Sequence, residues 1–300
     1  MDTNVFLIVL LATIMHAVWN GMVKNHPDKA VAVAAIVFGH IPLAIAAIIF
    51  LPAPTINCIP YIVASAIVHQ GYQWYLLSAY QIGDFTKVYP IARGFGPLVA
   101  TLISILILGL ILKSLIILSI LLICFGIMIL GLLDKEKKNF KVLQFSLLTG
   151  FFIGIYSLVD GYGARASLSP IVYISWSFIL SAVLFPVVLK IKNHKNIFQN
   201  VFNSGKQVFW IGGTLSYIIY TIVVWAFTKA PIPMVGALRE SSIFFSIFIG
   251  YFFFKRKNYS NKDILYYINP CWSYRFKVIL KPIIWNNYIV NSKYYSNRYT

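Results

Sequence analysis

Two arginines stand inside long apolar stretches of this chain, where a permanent charge needs a partner. Arg93 lies in TKVYPIARGFGPLVATLISILILGL (86–110); Arg239, followed directly by Glu240, lies in PIPMVGALRESSIFFSIFIGYFFF (231–254). An arginine at the centre of a membrane helix costs roughly 2.5–3.5 kcal/mol even on the milder insertion scales. It is retained where it meets an anionic ligand group, a carboxylate, or carbonyls at a helix end. Arg239 follows Arg93 by 146 positions, and the same offset sets Gly236 against Pro90 and Gly250 against Ser104 without a gap.

Other polar residues join them. His16, Trp19 and Asn20 recur at spacings of three and four, and so share one helical face that should look into a bundle or a cavity. Tyr156 and Asp160 share a face in a later apolar run; an offset of 140 pairs Asp160 with Asn20. Arg239 and Glu240 are neighbours in sequence and point about 100° apart on a helix, so they need not pair. Asp160 is a plausible partner for Arg239. His16, Asp160 and Glu240 could carry a coupling proton, since ionisable groups inside a membrane are relay candidates. Trp19, Trp74, Tyr156 and Tyr220 could wall a cavity. The bland alternative is a single structural network of ion pairs and interhelical hydrogen bonds.

The elements that must position these residues follow from composition. With 59% hydrophobic and 11% charged residues in 300 positions, a soluble core is excluded, because so much apolar surface has nowhere to hide. A bilayer core takes about 20 apolar residues per helix. Nine such runs occur, near 4–22, 30–51, 59–81, 87–110, 114–133, 142–163, 169–189, 208–228 and 231–254. They are expected to be helices, since hydrocarbon satisfies no backbone polar group and the runs are too long for barrel strands. His40 and Pro42 interrupt the second. His69, Gln70, Gln73 and Trp74 form a polar stripe on the third. Ala92, Gly96 and Ala100 give the fourth the small-residue spacing of close helix packing.

The two offsets define two related halves. Residues 1–133 form a first repeat of five spans, 134–141 (DKEKKNFK, with its N-terminal Asp) a basic linker, and 142–257 a second repeat with four recognisable spans. An odd number of spans per repeat inverts the second half. The expected fold is therefore an all-α polytopic membrane protein of two inverted five-helix repeats. The tenth helix of that plan is replaced by residues 258–300, a basic tail rich in Tyr and Asn. Its composition changes abruptly where a helix is due, which favours a shifted reading frame over a genuine tail.

The net charge of +17 does not point to nucleic acid, because the basic residues gather in short loops and in the tail, as anionic headgroups and the positive-inside effect require. Loops after odd-numbered spans hold most of the lysines, Lys87 among them, which places those loops in the cytoplasm and the N-terminus outside. Cys58, Cys124 and Cys271 have no metal or redox spacing. No metal or cofactor is expected. Met-Asp-Thr-Asn before the first run lacks the positive region of a cleaved signal peptide, so the first span should be kept. The expected location is the cell inner (plasma) membrane.

The segments HAVWN (16–20), GDFTKVYPIARGFGPLVATLIS (83–104), YSLVDGYGAR (156–165) and VGALRESSIFFSIFIG (235–250) together resemble the EamA-type transporters of the drug/metabolite transporter superfamily. The likeness covers residues 1 to about 257. It implies ten helices in two inverted repeats around a central cavity that moves metabolites by alternating access. It also implies cytoplasmic termini, opposite to the charge count. The chain departs from the pattern at Leu110 and at Arg256, where acidic residues are common in the family, and in its missing tenth helix.

The leading expectation is thus a secondary transporter of a small polar or anionic metabolite, with the lipid bilayer as its other partner. A non-functional remnant of such a transporter is the alternative. An intramembrane enzyme on a lipid-linked substrate fits less well, because the loops are short and basic and only eight acidic residues are present.

Overall fold

The computed structural model describes residues 1–132, 139–243 and 245. Most of the basic linker and all of the tail expected at 258–300 lie outside them. Every regular element among the described residues is helical: α1 (Thr3–Asn25), α2 (Lys29–Gly39), α3 (Ile41–Phe50), α4 (Ile59–Ile82), α5 (Phe85–Leu106), α6 (Ser114–Leu132), α7 (Phe140–Ala166), α8 (Pro170–Ile191), α9 (Ile197–Asn203), α10 (Thr214–Lys229) and α11 (Ile232–Arg239). A 3₁₀ turn precedes α4, and a π-helical turn, Val208–Gly213, leads into α10.

Among the described residues, six segments are long and apolar enough to cross a membrane: Thr3–Asn25, Lys29–Phe50, Phe85–Leu106, Phe140–Ala166, Pro170–Ile191 and Val208–Lys229. The chain is therefore an all-α membrane protein. Of the nine expected runs, α4 has the length but carries a polar stripe that lowers its hydropathy, and the described apolar part of α6 is shorter. Large apolar side chains such as Leu11, Ile49, Phe50, Leu106 and Val183 are exposed on the outer faces, as a hydrocarbon solvent allows.

The ends of the elements have local causes. Asp2 and Asp28 cap α1 and α2 by accepting backbone N–H groups. The second span breaks at His40, because Pro42 has no N–H to continue the ladder. α5 stops at Leu106 rather than near 110. Gly109 takes a left-handed conformation (φ +65°) and the Leu110 N–H folds back to the Ser104 carbonyl, which closes the helix. α5 also begins earlier than expected, so Lys87 is a buried helical residue and not a loop charge.

α11 departs further from its expected run of 231–254. It ends at Arg239, and Glu240 and Ser241 form a turn. The Ser241 hydroxyl donates to the Leu238 carbonyl at 2.7 Å, taking an acceptor the helix would otherwise use. Residues 246–254 lie outside the described part of the chain.

α5 and α7 pack with almost no gap. A Cβ on Gly150 would sit 2.6 Å from the Ala92 carbonyl oxygen, and one on Gly154 would sit 2.7 Å from Val99. The small-residue face expected around Ala92 and Gly96 is this interface. α2 meets the π-helical turn just as closely, with Gly39 and Gly213 in backbone contact.

Candidate functional site: a charged centre beside an aromatic cavity

Arg93 projects from α5, where Pro97 withholds the N–H that would have bonded the Arg93 carbonyl. Its guanidinium reaches two other elements. Nε lies 2.7 Å from Oε2 of Glu240, and one terminal nitrogen lies 3.1 Å from Nε2 of His16 on α1. The Arg93–Glu240 contact is a charge contact without hydrogen-bond alignment, since both atoms are buried and neither has a hydrogen-bond partner. Glu240 also receives the Nε of Arg239 at 3.4 Å. One buried carboxylate thus serves two buried guanidiniums, at 0% exposure against 7% for Arg93 and 2% for Arg239.

A polar chain continues from His16. Trp19 donates from its indole to His16 Nδ1 at 3.2 Å, and Asn20 donates to the Tyr89 hydroxyl at 2.8 Å. Tyr89 lies one helical turn before Arg93, and its ring centroid is 5.6 Å from that guanidinium. Tyr89 is not among the site residues expected from the sequence. Its spacing of four from Arg93 placed it on the same face and could have identified it.

Asp160 forms a separate centre. It accepts from the Tyr173 hydroxyl at 2.9 Å and from the Tyr220 hydroxyl at 2.5 Å. The expected Asp160–Arg239 pair is not formed: Arg239 turns to its sequence neighbour Glu240. The helix ends between those two residues, so the helical angle of about 100° no longer separates them. Gly163 leaves the space that the Tyr173 ring fills, for a Cβ there would sit 2.2 Å from it.

These groups surround a cavity of about 130 Å³ inside the bundle. His16, Trp19, Asn20, Arg93, Tyr156, Tyr220 and Arg239 line it; Trp74, Asp160 and Glu240 do not. Trp74 instead lies under the Lys192 ammonium, 4.3 Å from its ring centroid. That ammonium also donates to the Ser78 hydroxyl, and partial burial holds it below the ordinary lysine range. Asp160 stands behind Tyr220, and Glu240 behind the two arginines.

Much of the remaining wall is aromatic. The His69 ring stacks on Tyr156 at 4.3 Å and the His40 ring on Phe178 at 4.2 Å, while Phe178 lies stacked 5.6 Å from Tyr220. His69 is fixed through Nδ1 at 2.9 Å from the Ser65 carbonyl, and His40 through Nε2 at 3.1 Å from the Ser216 hydroxyl. The polar stripe of α4 therefore divides: His69 and Gln73 face the cavity, whereas Gln70 donates to Ser181 of α8. His40 and Gln73 join the lining although the sequence marked them only as a helix break and a stripe.

The lining offers positive charge, ring faces and a few neutral hydrogen-bonding groups. Compared with protein-family models and with curated proteins, the chain matches none.

Proposed function

We propose that this protein is a secondary transporter of small polar or anionic metabolites, built on the EamA plan and working by alternating access through the central cavity. The observation that carries this reading is the pair of buried arginines from α5 and α11 at one cavity inside a membrane bundle. Intramembrane charge at an internal cavity marks a substrate or ion path by default.

The packing pattern supports the inverted repeat. If α1 corresponds to α7, α2–α3 to α8, and α4 to the helix spanning 208–229, then contacts recur in related pairs. α7 packs on α4 as α1 packs on α10; α4 packs on α8 as the π-helical turn packs on α2. α5 and α11, the two arginine helices, touch each other across the centre. The end of α11 at Arg239 fits as well, since interrupted helices commonly supply central sites in such transporters.

The contrast between interfaces supports movement. At Gly150 and Gly154 of the α5–α7 seam an added Cβ would come within 3 Å of α5, but a Cβ on Gly236 of α11 would meet, among the described residues, only Pro97 at 3.9 Å. A looser seam between α5 and α11 suits a rearrangement that opens the cavity to either side. Coupling to a proton through Glu240, Asp160 or His16 belongs to the same reading.

The test is solute flux in proteoliposomes or whole cells with wild type and Arg239→Ala. Loss of flux with the variant still in the membrane supports the site, and wild-type flux by the variant overturns it. The change of composition at 258–300 favours one further reading, a damaged copy of such a transporter. Reading the coding DNA from about residue 250 in all three frames decides it. A run of apolar codons in another frame supports a lesion, and its absence supports a genuine tail.

A further inference from the structure

We infer that the cavity selects a small, flat monoanion, such as an aromatic monocarboxylate without an ammonium group, and that Arg239 rather than Arg93 holds its carboxylate. This inference rests on the cavity being a binding site, as in the transport reading, and adds the class of ligand.

The charges are asymmetric about the cavity wall. Both arginines line the cavity, whereas Glu240 and Asp160 lie behind it, and among the described residues no carboxylate lines it. A bound molecule therefore meets guanidinium groups without a matching acid for a cation.

The two arginines are not equivalent. Arg93 is engaged at both ends of its head, by Glu240 at 2.7 Å and His16 at 3.1 Å. Arg239 is 2% exposed, and among the described residues only its Nε is engaged, at 3.4 Å. Its terminal nitrogens make no hydrogen bond among the described residues and suit a carboxylate in the forked geometry that arginine favours.

The rest of the lining sets the polarity and shape of the ligand. Gln73 lines the cavity, is 5% exposed, and its buried amide oxygen has no hydrogen-bond partner among the described residues; that oxygen is an acceptor, so the carboxylate is left to the guanidinium. Tyr156, Tyr220 and Phe178 line the same cavity with ring faces and edges that suit a flat apolar body. The volume of about 130 Å³ lies well under the roughly 300–1,000 Å³ of drug-sized sites and limits the ligand to about a single ring.

The experiment uses the full-length protein in detergent micelles, titrated calorimetrically with benzoate, benzamide and benzylammonium. Benzoate is expected to bind about tenfold more tightly than either isostere, roughly the worth of one charge-assisted contact. Arg239→Gln and Arg239→Lys, each checked for a monodisperse elution profile, should reduce that preference, the glutamine variant to under about twofold. Equal binding of the three probes, or a preference that survives Arg239→Gln, overturns the inference. Flux of the same probes into proteoliposomes separates the two readings. Selective benzoate binding without flux supports this site and overturns transport; flux of a metabolite without any preference for benzoate overturns this inference and leaves transport standing.

Discussion

Arg93 Nε and Glu240 Oε2 lie 2.7 Å apart across the seam between α5 and the end of α11, and that contact is the charged tie at the centre of the bundle. It balances one of two guanidiniums that share a single buried acid. Removing either partner leaves charge in a place water does not reach freely.

Glu240→Ala is therefore expected to be more damaging than Arg239→Ala. Stranding Arg93 and Arg239 without their acid should cost on the order of 3–5 kcal/mol, the usual loss when one member of a buried pair is removed. Unfolding in mixed micelles measures it. A cost below about 1 kcal/mol would mean that the two arginines are neutralised by other groups.

Tyr220→Phe should weaken the protein by about 1–3 kcal/mol, because it strips one of two hydroxyl donors from the buried Asp160 carboxylate. Combining it with Asp160→Asn in a double-mutant cycle tests the pairing directly. Additive losses would show that the 2.5 Å hydrogen bond carries no coupling.

The two helix seams should respond differently to a methyl group. Gly150→Ala places a Cβ 2.6 Å from the Ala92 carbonyl oxygen and must push α7 from α5; Gly236→Ala meets nothing closer than 3.9 Å among the described residues. Overpacking costs typically 1–3 kcal/mol, so Gly150→Ala should lower the melting temperature in micelles and Gly236→Ala should leave it nearly unchanged. The reverse order would place the tight seam elsewhere.

Cys58 and Cys124 are both fully buried free thiols. With Cys271 replaced by serine, the folded protein should resist a water-soluble maleimide and take up two equivalents once denatured. Rapid labelling before denaturation would contradict the packing of α4 and α6.

Much of the centre was legible because membrane residence makes polar groups conspicuous. Arg93, Arg239, His16 and Asn20 stand out of apolar runs, and the periodicity of α1 and α5 alone aims His16, Asn20 and Arg93 inward. Charge inside a span also explains why Tyr89, an ordinary aromatic in the sequence, escaped notice until Arg93 was placed one turn beyond it. Pairing was not legible. Asp160 read as the plausible partner of Arg239, and the helical angle set Glu240 aside, since period and composition reveal neither the end of α11 nor the distance between elements far apart in sequence.

By itself, the sequence determined the class of the molecule: an all-helical membrane protein with charge held in its interior, because hydrocarbon accepts no other backbone and tolerates few charges. Only the tertiary structure decided how that charge is shared. Ending α11 at Arg239 lets one acid serve two arginines, while two tyrosine hydroxyls occupy Asp160. The result places the guanidiniums in the cavity wall and the carboxylates behind it, a distinction that depends on the directions of side chains from helices distant in the chain.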